Sequence, residues 1–298
     1  MYIVIGASSF IGVYTVAEFL KQGEQVIVTG RNNKFKEHYD KLGVQYINLN
    51  LTHKEDFEQL PKEGIDGVIL LSGLLPANAQ VNLDEDENAD EYFAVNTIGT
   101  INVLEYCRRN RINRIISNCS YADVRGAWGK KIITEDEPRD FIYTGDHAVY
   151  VFSKNAANDA MEYYNQQHGM KNAWFRFPPV YGVGPHDCFY INGTLKKSGL
   201  KKFIDNASVG DDICIFGDPN LSRDVVYVKD VAHAYYLAMK SEHTYGLYNM
   251  TSGRGVTLQE QAEIIAELWA PSKEKKSKIT YRPEVVNNTP SYLSLIHI

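Results

Sequence analysis

Apolar positions fall into short continuous runs separated by stretches of helical period, and that alternation sets the expected architecture. Residues 2–5 read as a buried parallel strand, followed by a glycine, small residues and a helical pattern over 10–22. Further strands are expected at 25–29, 44–49, 67–71, 114–118 and 172–177, with helices near Asp56, over 92–109 and over 147–168. This order predicts an α/β fold: a Rossmann-type doubly wound parallel sheet with right-handed crossovers and a smaller C-terminal substrate domain. Residues 76–88 read as a polar, acidic loop, and 122–146 as a long loop of the kind that is usually functional.

Pro178 and Pro179 mark a change of organisation. A dinucleotide-binding (Rossmann) domain is therefore expected over 1–177 and a mainly substrate-binding domain over 178–298, with the strand and helix of 222–240 returning to the first. Past the boundary the pattern is irregular: a Gly- and Lys-rich stretch at 193–202, an apolar pair around Ile215, a short strand at 248–250, and a capping box of Thr257 with Glu260. Residues 291–298 form an apolar stub with no element to join, and the C-terminus reads as incomplete.

The turn at 6–12 carries the first chemical signal. Gly6 can take a conformation that a side chain forbids, and Gly12 lets helix and strand approach closely. The N–H groups of the first helical turn favour an anion, here a dinucleotide pyrophosphate. Ser9 stands where glycine is usual, but its hydroxyl and backbone can donate to a phosphate. After the second strand, at the adenosine end of such a site, the chain offers Gly30, Arg31 and Asn32, and no acid occurs between Glu24 and Glu37. A guanidinium pairs with a 2′-phosphate that a carboxylate would repel, so NADP is expected in preference to NAD, held by Arg31.

Tyr150 and Lys154 share one face of a helix, one turn apart. A nearby ammonium favours the phenolate and is expected to lower the tyrosine pKa by roughly 1–3 units, and the same lysine can reach a ribose hydroxyl. Ser120, past the carboxyl end of the fifth strand, stands where ligands bind in open α/β sheets, placed to hydrogen-bond the oxygen on which Tyr150 acts.

Composition narrows the remaining classes. A hydrophobic fraction of 44% and a charged fraction of 23% are those of an ordinary globular chain. Net charge of -6 argues against a nucleic-acid partner. The four cysteines have no close pair and the eight histidines no ligand-spaced cluster with them, so no metal site is expected. With no basic leader and no apolar run of membrane-spanning length, the expectation is a cytoplasmic protein with reduced thiols and no membrane partner.

The opening GASSFIG, NTIGTINVLEYCRR, RIISNCS, YVFSK, FRFPPVYGVGP, RDVVYVKDVAHA and GLYNMTSGRGVTLQEQAEIIAE together resemble the extended short-chain dehydrogenases/reductases of the NAD-dependent epimerase/dehydratase family, from residue 1 to about residue 270. The resemblance implies a catalytic set of Ser120, Tyr150 and Lys154. It places cofactor contacts at Gly6, Ser8, Ser9, Phe10, Ile11, Gly12, Asn50, Leu51, Leu71, Ser72, Gly73, Asn96 and Val180, with Tyr150 and Lys154 beside them. Substrate contacts fall at Pro179 and at Arg223, a ligand for substrate phosphate. Family members commonly have an aspartate at Asn50 and an asparagine at Pro179. Where sugar dehydratases carry Thr-Asp-Glu this chain has Ser120, Tyr121 and Ala122, which disfavours dehydration.

The resemblance and the residues that carry it imply an NAD(P)-dependent epimerase acting on a nucleotide-linked sugar. The alternatives are an NADPH-dependent reductase of a sugar or other small carbonyl compound, and a non-catalytic NADP-binding sensor or scaffold. The family likeness also implies a homodimer paired through the helices that begin near Tyr92 and His147.

Overall fold

Strands whose residues are buried on both faces lie side by side at the centre of the protein. The structure is a computed structural model that describes residues 1–78, 88–145, 147–184, 187–191, 193–286 and 292–294. The strands are β1 (Tyr2–Ile5), β2 (Val26–Gly30), β3 (Gln45–Asn48), β4 (Gly67–Leu70), β5 (Ile115–Ser120) and β6 (Ala173–Phe177), joined by Gly246–Asn249. All seven are parallel, in the order β3-β2-β1-β4-β5-β6 and then Gly246–Asn249. This is the doubly wound order, and the crevice where it reverses, at the carboxyl ends of β1 and β4, is where such sheets bind ligands.

Alternation along the strands divides the core in two. Ile3, Ile5, Val68 and Leu70 pack with Val103, Leu104, Met161 and Tyr164 from the helices Gly99–Arg109 and Ala148–His168. Val4, Val28 and Ile69 face the opposite way, onto Val16 and Phe19 of α1 (Phe10–Lys21) and Val231 and Tyr235 of the helix Val228–Lys240. The helix Val228–Lys240 is fastened to α1 by His233 on Glu18 at 2.8 Å and to the turn after α1 by Lys240 on Glu24 at 3.0 Å. Among the described residues no helix is long and apolar enough to cross a membrane.

The structure departs from the sequence pattern in four places. The helix expected over 92–109 contains a π turn, Phe93–Ile98, between α-helical Ala89–Tyr92 and Gly99–Arg109. Within it Asn96 and Thr97 both bond Ser153 of the neighbouring helix, at 3.0 and 2.8 Å, in the manner of π turns that aim side chains at a site. The Gly- and Lys-rich stretch resolves into a hairpin, Cys188–Ile191 with Thr194–Lys197, and a helix, Gly199–Val209. Leu200, Phe203, Ile204 and Ala207 give that helix an apolar face, which packs on Ile213, Ile215 and the helix Leu258–Leu268.

The third departure is the expected loop 122–146, which starts as a 3-10 turn, Tyr121–Ala127, and is pinned by a buried charge. The Arg176 guanidinium, 1% exposed, meets Asp123 with Nε 3.1 Å from Oδ1, and donates through Nη1 to the Thr134 carbonyl and Asn249 Oδ1, each at 3.2 Å. The fourth is the C-terminal stub. Tyr292 is fully buried, its carbonyl accepts from Asp224 N at 2.7 Å, and Ser294 N donates to Asp224 Oδ2 at 2.6 Å. Ile133 N donates to the Leu293 carbonyl at 2.9 Å. Residues 292–294 therefore do join an element, through partners far away in sequence that no local pattern reveals. Most of the acidic loop at 76–88, namely 79–87, and residues 291 and 295–298 lie outside the described residues.

Candidate active site

The first part of the site follows from crowding at the carboxyl end of β1. Gly6 has φ +88° and no room for a side chain, since a Cβ would collide with Ser72 and Leu71. A Cβ on Gly12 would strike the Gly6 carbonyl and Ala7, so α1 starts directly against the turn. Ser9 is the N-cap: its Oγ accepts from Gly12 N at 3.0 Å, and its own N–H is used on the Gly6 carbonyl at 3.0 Å. Of the two donors expected from Ser9 for a phosphate, only the hydroxyl remains available. Tyr39, fully buried, donates to the Ala7 carbonyl at 2.6 Å and stiffens the turn from below. Phe10 packs over Gly184, laying the second part of the chain across the start of α1, and Ile11 packs against the core.

At the end of β2 a side chain at Gly30 would collide with the Tyr46 phenol, which donates to the Asn32 carbonyl. Space that an acid would need is thus filled, and Ser8 Oγ lies beside it. Arg31 is exposed just beyond. Asn50 turns its side chain into its own loop, where Oδ1 accepts from Thr52 N at 3.1 Å, and Leu51 is buried with its carbonyl on Asn102 Nδ2 at 2.8 Å. After β4, the N–H groups of Leu71 and Ser72 both reach the Ile5 carbonyl, at 2.8 and 3.1 Å. Gly73 rests against Asn96, whose amide accepts from Leu74 N at 2.7 Å and donates to the Leu74 carbonyl and to Ser153 Oγ, both at 3.0 Å. Asn96 therefore ties the loop after β4 to the helix carrying Tyr150.

Tyr150 and Lys154 both point inward, 8% and 5% exposed. Burial pushes the Tyr150 phenol up, and the charges of Cys119, Tyr121, Tyr92 and Asp123 add to the shift. Burial brings the Lys154 ammonium down to about 8. Its Nζ donates to Asn118 Oδ1 at 3.1 Å. The lowering of Tyr150 expected from Lys154 is therefore overturned in direction: desolvation sets the shift, and the phenol keeps its proton at neutral pH. Ser120 ends β5, buried, with Oγ accepting from Ala122 N at 3.1 Å as the cap of the 3-10 turn.

On the other side of the crevice Pro179 accepts from Val226 N at 3.2 Å, and Val180 pairs with Val226 in a parallel strand. This fixes the neighbouring strand Ser222–Asp224, where Arg223 Nε is buried with no hydrogen-bond partner among the described residues. Desolvation lowers that guanidinium's pKa from its ordinary value. A buried donor on a cation, facing no carboxylate, fits an anionic ligand. Among the described residues no group of three or more His, Cys, Asp or Glu side chains is placed to hold a metal.

Sequence reasoning missed Asn118, Tyr121 and Tyr46. Asn118 was within reach, because period-two alternation on β5 puts it on the same face as Ser120.

Comparison with known proteins fits this geometry. The sequence model of the NAD dependent epimerase/dehydratase family matches residues 2–250. A UDP-glucose 4-epimerase from Halalkalibacterium halodurans is 24% identical over 287 residues, covering 89% of this chain and 79% of that one. Among solved structures, a Thermotoga maritima UDP-glucose 4-epimerase with UDP-glucose superposes with a TM-score of 0.77 at 22% identity, covering 99% of this chain and 89% of that one. A Thermus thermophilus UDP-glucose 4-epimerase in complex with NAD gives 0.71 at 24% identity, covering 95% and 85%.

Lys154 generates a prediction about pH. It loses its proton near 8 in the folded protein against 10.5 ordinarily, so the unfolded chain binds the extra proton between those values and wild-type stability gains from this group as pH rises through that window. Below pH 8 folding carries the full cost of burying the cation. Lys154→Met is expected to be more stable than wild type at pH 7, by on the order of 1 kcal/mol or more, with the advantage shrinking toward pH 10. Urea unfolding across that range measures it, and an advantage independent of pH would mean that the ammonium is not desolvated.

Proposed function

The chain belongs to the NAD-dependent epimerase/dehydratase family, enzymes of the extended short-chain dehydrogenase type, and on that premise we propose that it moves hydride between a nicotinamide dinucleotide and a ring carbon of a nucleotide-linked sugar, as an epimerase. We assign the dinucleotide to residues 1–177 and most substrate contacts to 178–298. The observation that carries this reading is two desolvated cations, a buried Lys154 and a half-buried Arg223 whose Nε is sealed, neither with a carboxylate partner among the described residues, together with the buried phenol of Tyr150. Lys154 suits a cofactor ribose, Arg223 the substrate phosphate, and Tyr150 the oxygen between them.

The nicotinamide, when bound, supplies or accepts the hydride. Tyr150 holds its proton at neutral pH and is ready to donate it to a carbonyl oxygen as the carbon becomes reduced. The opposite direction starts from the phenolate, favoured beside the positive charge of an oxidised nicotinamide; the phenolate takes the sugar hydroxyl proton and returns it when the carbon is reduced again. Elimination chemistry is disfavoured, because Asp123, the acid closest after Ser120, is consumed by Arg176. A reductase that stops at the hydride-donating step is the second reading, favoured by the proton already on Tyr150.

We also place the 2′-phosphate of NADP on Arg31. Tyr46 excludes a side chain from position 30, so no carboxylate can reach the adenosine ribose from the strand end, while Arg31 and Lys34 stand exposed beside it. A homodimer is supported by the outer face of the two helices after β4 and before β6. Ile98, Phe152 and Tyr163 are 48%, 49% and 54% exposed there, and Phe93 meets Phe152 edge-on at 5.3 Å.

Activity, binding and mass measurements check these proposals. With UDP-glucose as the first substrate, label at the reacting sugar carbon should return to the sugar in the epimerase with no net change in cofactor. The reductase should leave UDP-glucose unchanged and, given a carbonyl substrate, consume NADPH with its labelled hydride ending on the product. Tyr150→Phe should lower turnover by about a hundredfold at unchanged cofactor affinity, and wild-type turnover in that variant would remove the phenol from the mechanism. Calorimetry should show NADP binding roughly ten- to a hundredfold tighter than NAD, with the difference lost in Arg31→Ala. A preference that survives the substitution places the phosphate elsewhere. Light scattering should give twice the 33.8 kDa chain mass, falling toward one in Phe152→Glu. A wild-type monomer at micromolar concentration would overturn the dimer.

A further inference from the structure

Tyr121 links the end of β5 to the strand that carries Arg223, through Tyr292, whose ring meets it and whose carbonyl accepts from Asp224 N. It follows Ser120, whose Oγ is turned back onto Ala122 N. The Tyr121 ring is clamped: it stacks on Trp128 at 4.9 Å and 11°, and Tyr292 meets it edge-on at 5.3 Å. Trp128 Nε1 also donates to the Tyr121 carbonyl at 3.2 Å. A half-buried ring fixed by two aromatics has little rotamer freedom left to lose on binding. Its phenol lies close enough to the Arg223 guanidinium, and to Tyr150, for the groups to act on one another electrostatically. Arg125, the other cation acting on it, lies over the Trp128 ring at 5.7 Å.

We infer that Tyr121 is a substrate-contacting residue, its phenol donating a hydrogen bond to a sugar oxygen lying between the phosphate held by Arg223 and the carbon on which Tyr150 acts. This deepens the nucleotide-sugar reading and rests on it. A phenol reaches several ångströms further from the backbone than the Ser120 hydroxyl one residue before it, which is turned back onto Ala122 N. The contact is assigned to the sugar because Arg223 already meets the diphosphate and Tyr150 acts on the sugar, so a group between the two is nearest the ring. Residues 292–294 belong to the arrangement, since Tyr292 holds the ring while its carbonyl holds Asp224, next to Arg223.

Calorimetry with UDP and with UDP-glucose, on wild type and on Tyr121→Phe, tests this. The phenylalanine keeps both ring contacts, and unchanged NADP affinity verifies that the variant is folded. UDP-glucose binding should weaken about tenfold while UDP binding stays the same. Equal losses on both ligands would put the phenol on the diphosphate and overturn the assignment, as would no loss on either. A wild type that binds neither ligand overturns the nucleotide-sugar reading and this inference with it, whereas a silent Tyr121→Phe in a wild type that binds both sinks this inference alone.

Discussion

A guanidinium sealed at the carboxyl end of β6 holds together the segments that carry Tyr121 and Arg223. Arg176 cannot be left without partners at that depth, because an uncompensated buried charge costs several kcal/mol, on the order of 3–5 when one member of a buried pair is lost. Asp123, Thr134 and Asn249 surround it, and each anchors a different segment. Asp123 belongs to the turn that follows Ser120 and carries Tyr121, and its carbonyl also accepts from Asp140 N at 2.8 Å. Asn249 ends the last strand of the sheet, bonds the Ile133 carbonyl at 3.2 Å, and takes Glu135 Oε1 on its own N–H at 2.9 Å. Ile133 in turn carries residues 292–294, which hold Asp224 beside Arg223. Satisfying one charge thus fixes the positions of Tyr121 and Arg223.

The cofactor side depends on close approach instead of charge. Gly6 and Gly12 remove the atoms that would keep α1 away from β1, and Gly30 does the same for the Tyr46 phenol. Tyr39 and Tyr46, stacked at 6.0 Å, support the turn and the end of β2 from the same layer. Their hydroxyls are both spent on backbone carbonyls, of Ala7 and Asn32. The aromatic layer therefore sets the shape of the surface at the end of β2 while leaving its charge to the exposed residues around Arg31.

Much of the frame was legible in the sequence, because apolar strands and glycine turns are local signals. The first six strands and the helices α1 and Ala148–His168 lie within one or two residues of the pattern. The helix Gly199–Val209 was hidden by its composition: its lysines and glycine read as loop, although Leu200, Phe203, Ile204 and Ala207 recur at helical spacing. That Tyr150 and Lys154 share one helix face was legible from their spacing, but the direction of the tyrosine shift was not, since it is set by burial among Tyr92, Cys119 and Tyr121, which two distant segments supply. Arg176 on Asp123 and Tyr292 on Tyr121 pair residues 53 and 171 positions apart, and no local periodicity encodes such contacts.

Burial of Lys154 and Arg223 also explains how this fold trades stability for binding. Both cations lose hydration, and among the described residues neither recovers it from a carboxylate: Lys154 has one amide oxygen, and Arg223 Nε has nothing. A carboxylate partner for either would stabilise the folded chain but would then compete with any anionic ligand for the same donor. Tyr150 makes the complementary choice, since a neutral phenol costs far less to bury than a phenolate and delivers its proton only when charge develops on the oxygen beside it. The folded protein thus carries two uncompensated cations and one withheld proton at the same crevice. A sugar-nucleotide phosphate at Arg223 would neutralise that cation and a ribose hydroxyl would give the Lys154 ammonium a further acceptor, so binding recovers electrostatic energy that folding alone leaves unused.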